Sequence, residues 1–162
     1  MERRCLAIRI LGVASTSRGF AFATTEGPLR LIDWGNRRGS HTKQVQALNA
    51  TVEKSRPLFV ACEIERNQRK SLRSRNFNRA LKRVCAKHRI MILCVERKRD
   101  TAQRQGEPTN YDIAQAAAAR FPSIADCLPK ERRVWEGGDD RIGIFLAAAA
   151  AVGGWNHFRP TE

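Results

Sequence analysis

Leu58-Phe59-Val60-Ala61-Cys62-Glu63-Ile64-Glu65 is an apolar run that ends abruptly in carboxylates. Pro57 bounds it on one side and Arg66-Asn67 on the other, which is the pattern of a central strand covered on both faces. Side chains alternate along a strand, so Phe59, Ala61, Glu63 and Glu65 share one face, and acids follow two apolar residues just where the chain should leave the core. Acids in that position suit metal binding or proton chemistry; pairing with the surrounding arginines is the structural alternative.

Upstream, Arg4 to Val13 is rich in Ile and Leu and predicts a first strand, followed by a turn through Ser15-Thr16-Ser17-Arg18-Gly19. Phe20 to Thr24 predicts a second strand. Glu26-Gly27-Pro28 marks another turn before a third strand over Leu29 to Trp34 and a basic, glycine-containing loop over Gly35 to Ser40. These three form an antiparallel meander. Val45, Leu48 and Val52 recur at helical spacing between Thr42 and Ser55, and Pro57 ends that helix before the central strand.

Downstream lies the most lopsided segment, with ten Lys or Arg residues and no acid from Arg66 to Arg89. Its second half is helical: Phe77, Leu81, Val84, Cys85 and His88 form one face, leaving Arg75, Arg79, Lys82, Arg83 and Lys87 largely on the others. Ile90 to Val95 predicts a further buried strand, and strand-helix-strand implies a parallel pair, so the sheet becomes mixed. Glu96 to Pro108 has no periodicity and is expected to be a loop. Thr109 and Asp112 form a capping-box variant that opens a helix closed by Pro122, while Ser123 to Val134 has no clear pattern. Asp139-Asp140 then leads an Ala-rich last helix, so poor in polar residues that it must pack closely, most simply on the sheet.

A chain of 162 residues suits one domain with one core, here 1–162. Thirty Lys and Arg against 16 Asp and Glu leave a formal net charge of +14, a field that favours polyanions, with nucleic acid ahead of an anionic membrane surface. No run approaches the ~20 apolar residues of a membrane span, and no signal peptide opens the chain. The five cysteines are odd in number and widely spaced, without a CxxC or Cys/His cluster, which points to a reducing cytoplasm and away from structural zinc. His41, His88 and His157 are scattered, and His88 belongs to a helix face. Trp34, Phe77, Tyr111 and Trp135 are the aromatics available to stack on bases, with core packing the better account of Phe77.

Three stretches, in this order and spacing, resemble the RuvC type of Holliday-junction resolvase within the ribonuclease H-like superfamily. They are Ile10-Leu11-Gly12-Val13 running into Gly19-Phe20-Ala21, the strand Phe59 to Glu63 followed by an asparagine and a helix, and Asp139-Asp140 leading an Ala-rich terminal helix. The resemblance implies an α/β fold: a mixed five-stranded sheet, three antiparallel strands then parallel ones, flanked by helices. It also implies a homodimer and metal-dependent phosphodiester hydrolysis in branched DNA. Magnesium or manganese would be held by carboxylates from the first strand, the central strand and the last helix. Carried over, Glu63 is the central-strand ligand and Asp139 or Asp140 the helix ligand.

The first-strand position is Ala14, where the family places an aspartate. The resolvases also separate two helix aspartates by three positions, whereas Ile142 and Gly143 follow Asp139 and Asp140 at that distance. Adjacent aspartates diverge by roughly 100° on a helix, so both reach one ion only if the first sits in the cap. Asp33 and Glu65 are the substitutes at hand. Three accounts of Ala14 stand: an introduced inactivating substitution, a homologue that binds nucleic acid without cutting, or a metal set rebuilt around Glu63, Glu65 and Asp139/Asp140. A ribonuclease H-fold factor directed at RNA is a more distant reading of the same charge. Arg66, Arg69, Lys70, Arg73, Arg75, Arg79, Lys82 and Arg83 begin at the carboxyl end of the strand carrying Glu63, where a substrate backbone should run, and phosphate contacts there would be largely sequence-independent.

Overall fold

The structure, a computed structural model, describes residues 7–63, 72–96, 109–131 and 141–158 and leaves aside the side chain of Arg73. The strands are β1 (Arg9–Ser15), β2 (Gly19–Glu26), β3 (Arg30–Arg38), β4 (Phe59–Glu63) and β5 (Met91–Val95). The helices are α1 (His41–Ser55), α2 (Leu72–His88), α3 (Asn110–Arg120), α4 (Pro122–Ala125) and α5 (Ile142–Phe158). One sheet runs in the order β3-β2-β1-β4-β5. β1 pairs antiparallel with β2 and β2 with β3, whereas β1–β4 and β4–β5 are parallel. The expected mixed sheet of three antiparallel strands followed by parallel ones is therefore present.

The two sheet faces are packed by different chemistry. On one face, Leu11, Val13, Phe20, Phe22 and Val60 meet Leu48 and Val52 of α1 and Phe77, Leu81, Val84 and Cys85 of α2. Phe77 stacks on Phe20 with ring centroids 5.6 Å apart, so its core assignment holds. Burial pushes the Cys85 thiol up to about 11 because the charged form would lose its solvation. The other face is lined by Ile10, Gly12, Ala21, Ala23 and Ala61, against which the alanines of α5 pack. Small residues on both sides let the helix approach closely: a Cβ on Gly12 would fall 1.8 Å from the Ala147 carbonyl oxygen, and one on Gly154 3.0 Å from the Ala61 Cβ. The polar-poor last helix thus lies across the sheet as its composition requires.

Several boundaries differ from the sequence-based expectation. β3 runs on to Arg38 in place of stopping at Trp34, because Gly35 is accommodated against the Phe22 ring and the ladder continues to the Gly19–Arg38 pair. β1 extends to Ser15, and Ala14 is part of the strand. β5 is an edge strand whose residues are half-buried or exposed, Met91 at 62%, and is not the buried strand that its apolar sequence suggested. Ser40 caps α1, its hydroxyl accepting from the Lys43 N–H. The Thr109–Asp112 capping box is present in both directions, and the indistinct stretch after Pro122 contains the single turn of α4. The expected loop lies outside the described residues except for Glu96 at its start, and the expected Asp139 or Asp140 cap lies outside them as well.

The fit of α5 is open to test. Gly12→Ala pushes a methyl group into main-chain atoms that cannot rotate away, and should lower the unfolding free energy by about 3 kcal/mol in urea titrations, the upper end of overpacking costs. Leu29→Ala, at a side chain that is 71% exposed, should change it by less than about 0.5 kcal/mol.

Candidate functional site

The carboxyl ends of β1 and β4 lie side by side. Their last registered pair is Val13 with Cys62, so Ala14 and Glu63 follow as the next residues of neighbouring strands, roughly 4.8 Å apart in the sheet. Alternation puts both on the face that α5 covers: Ala14 packs with the α5 cluster, and Glu63 lies two residues beyond Ala61, which faces Gly154. Glu63 is half-buried and also registers with Val95 of β5. The amino end of α5 meets the same sheet end, where a Cβ on Gly143 would lie 2.7 Å from the Thr16 Cγ2 and 2.9 Å from the Ala21 Cβ. The chain thus brings its central-strand acid, its first-strand end and the start of its last helix to one place.

The other candidate acids separate. Asp33 pairs with Thr24 and makes a 3.4 Å ion pair with Lys54 of α1, which puts it on the opposite face of the sheet from Glu63. It is therefore no substitute ligand beside Glu63. Glu65, Asp139 and Asp140 lie outside the described residues. Among the described residues there is no cluster of three or more His, Cys, Asp and Glu. His88 bonds Asn49 of α1 at 2.7 Å, in keeping with a helix-face role. Sequence reasoning missed Asn36. Ala14, Ala21 and Asn36 form one row across β1, β2 and β3, and the buried Asn36 Oδ1 has no hydrogen-bond partner among the described residues. Only the observed extension of β3 brings this amide into the row.

The outward side of α2 is cationic. Arg75, Arg79, Lys82 and Arg83 all lie on the exposed side of α2, whose buried side is Phe77, Ala80, Leu81, Val84 and Cys85. Arg66, Arg69 and Lys70 lie outside the described residues, as does the side chain of Arg73. Of the candidate stacking aromatics, Trp34 packs against the α5 cluster, Tyr111 is half-buried at the start of α3, and Trp135 lies outside the described residues.

Neither family models nor curated proteins match this sequence. Solved structures do. Thermus thermophilus RuvC superposes with a TM-score of 0.60 at 13% identity, covering 90% of this chain and 92% of that one. The fowlpox virus resolvase, in complex with its substrate Holliday junction DNA, has a TM-score of 0.59 at 12% identity over 94% and 100% of the two chains. The yeast mitochondrial Holliday junction resolvase Ydc2 has a TM-score of 0.51 at 12% identity over 94% and 82%. The fold is that of the RuvC-type resolvases. Ala14 stands at the end of β1, next to Glu63 at the end of β4.

The scaffold also bears on the helix acids. Gly143, three positions after Asp140, fits against Thr16 and Ala21 with no room for a side chain, whereas Ala14 is half-buried at a strand end. Gly143→Asp should therefore cost about 3 kcal/mol, and Ala14→Asp about 1. Thermal melting would separate them, with midpoints lowered by about 6–12 °C and about 2–4 °C, respectively, for a domain of this size.

Proposed function

We propose that this chain is a metal-dependent, structure-selective endonuclease of the RuvC type that acts on branched DNA as a homodimer. The observation that carries the reading is the convergence of Glu63, the end of β1 and the amino end of α5 at one end of the sheet, with the basic helix α2 packed on the opposite face. Arg75, Arg79, Lys82 and Arg83 would hold the phosphate backbone by sequence-independent contacts and orient it along α2, with Arg66, Arg69, Lys70 and Arg73 extending the same track in sequence. Glu63 together with Asp139 or Asp140 would hold the ion. This is a fit for Mg²⁺, which binds through one or two carboxylates and completes its shell with substrate phosphate and water. When bound, the ion would supply an activated water and charge neutralisation at the phosphorus.

A second reading is favoured by Ala14 and Gly143: with no carboxylate at either position, the protein binds branched DNA and does not cut it. One experiment decides between them. The wild type, Glu63→Gln and Ala14→Asp are incubated with a four-way junction, linear duplex and RNA hairpins in Mg²⁺ or Mn²⁺. The endonuclease reading expects junction cleavage that falls at least about 100-fold in Glu63→Gln, the loss of a transition-state interaction worth about 2.7 kcal/mol, and rises in Ala14→Asp. Tight junction binding without cleavage, and without gain from Ala14→Asp, would establish the binding reading. Preference for the hairpins would redirect the protein to RNA, and absence of binding at low salt would remove nucleic acid altogether.

A further inference from the structure

Cys62 and Cys94 face each other across the β4–β5 ladder. They are register partners on parallel neighbouring strands, and their Sγ atoms lie 3.8 Å apart. Ala61 and Val95 turn toward α5, where they meet Gly154 and Gly153. Alternation therefore sends both cysteines to the other face of the sheet, and Cys62 packs at the margin of the core beneath α1 and α2. Glu63 and Val95 are the next registered pair, so the two sulfurs stand one residue before the candidate acid.

The surroundings of the thiols differ in a way that packing does not require. Cys85 is buried in the core, where loss of solvation pushes its thiol up to about 11 and leaves it a small hydrophobe. Cys94 is exposed and Cys62 half-buried. One sulfur of the pair thus meets reagents from solution, and the other stands behind it within reach. An exposed thiol on an edge strand adds little to a core, so burial does not account for Cys94.

The backbone spacing suits a bond between them. Neighbouring strands lie about 4.8 Å apart, inside the roughly 4.4–6.8 Å that separates the Cα atoms of a disulfide and near its short end. The sulfurs are already in contact, so rotation of the side chains closes the gap without any change of strand pairing. A bond at the short end of that range is strained, and strained, accessible disulfides are the easily reduced ones. It would link positions 32 residues apart and pin β5, which has β4 as its one strand neighbour among the described residues.

We propose that Cys62 and Cys94 form a reversible thiol–disulfide site, oxidised by low-molecular-weight disulfides of the glutathione class, that locks the edge strand β5 to β4 beside Glu63. The exposed Cys94 thiolate attacks one sulfur of the oxidant, which forms a mixed disulfide and expels one small thiolate with the electron pair of the broken bond. The Cys62 thiolate then attacks the Cys94 Sγ, which forms the Cys62–Cys94 bond and expels the second small thiolate. The two protons lost by the cysteines are taken up by the expelled thiolates, so one small disulfide is reduced to two thiols as the cysteine pair gives up two electrons. Thiols of the same class reverse the sequence.

The test uses the full chain, reduced and then exposed at low micromolar concentration to glutathione disulfide. Remaining thiols are alkylated, and peptides are mapped by mass spectrometry without reduction. A Cys62–Cys94 link should exceed any link to Cys5, Cys85 or Cys127 by at least about tenfold, as expected for thiols held in contact. Dithiothreitol should restore both thiols. In C62S, Cys94 should stop at the mixed disulfide with glutathione, a species that should not accumulate in the wild type. Hydrogen exchange of the oxidised wild type reads the lock itself and is independent of variant folding: the β5 ladder amides should exchange at least about tenfold more slowly than in the reduced chain, a larger change than in the β1–β2 ladder.

Alkylation of both cysteines after oxidation, a mixed disulfide that persists on Cys94 in the wild type, a link that joins two chains, or equal linkage to Cys127 would each overturn the proposal. So would a cross-linked chain in which exchange of the β5 amides is unchanged. None of these results depends on whether the protein binds or cuts nucleic acid.

Discussion

The close approach of α5 to the sheet is the contact on which the rest of the molecule depends. Gly12 lies directly under the Ala147 carbonyl and Gly143 against Thr16 and Ala21, so the helix is held where small residues let it approach the sheet. Close packing without voids makes such an interface stiff, because neither surface has flexible atoms that can yield. It fixes where the amino end of α5 meets the end of β1, and hence what stands near Glu63. Were the helix lifted by the thickness of one methyl group, the sheet end would open and strand, helix and acid would no longer converge.

Much of this was legible in the residues. The apolar run ending at Glu63 had to be a central strand, and β4 does lie between β1 and β5. The alanine run needed a flat partner, which the small residues of β1 and β2 provide. Local patterning failed where a residue's role is set by its neighbour across the sheet. Gly35 and the basic residues after it read as a loop, yet the Phe22 ring and the ladder to β2 keep them in β3. Asp33 looked like a spare ligand because sequence alone does not reveal which face of a strand meets which helix; its pairing with Lys54 does. The apolar content of β5 suggested a covered strand, and only the order of the sheet shows it at the edge.

Among the described residues, Glu26 lies at the end away from Glu63 and is engaged by Arg9 and Arg30, and Asp33 is engaged by Lys54. The end that carries Glu63 has cations on α2, on the β1–β2 turn and on the β3–α1 corner. A polyanion approaching the protein meets a field that orients it before contact, and a site of that polarity gains encounter rate at low ionic strength. The half-buried Glu63 is set within this positive surround.

The difference between the two sheet faces has a consequence for how the chain tolerates change. Beneath α1 and α2, Leu, Val and Phe side chains interdigitate, and cores of that kind absorb volume-conserving exchanges by repacking. Beneath α5, small residues leave little volume to exchange where the helix comes closest: enlargement at Gly12 meets the Ala147 main chain, and at Gly143 and Gly154 it meets Thr16, Ala21 and Ala61. The molecule is plastic on one side and brittle on the other, and the brittle side is the one that faces Ala14. Substitutions accumulated by such a chain would collect beneath α1 and α2, while the geometry around Glu63 would remain fixed even in a protein whose sequence had drifted far.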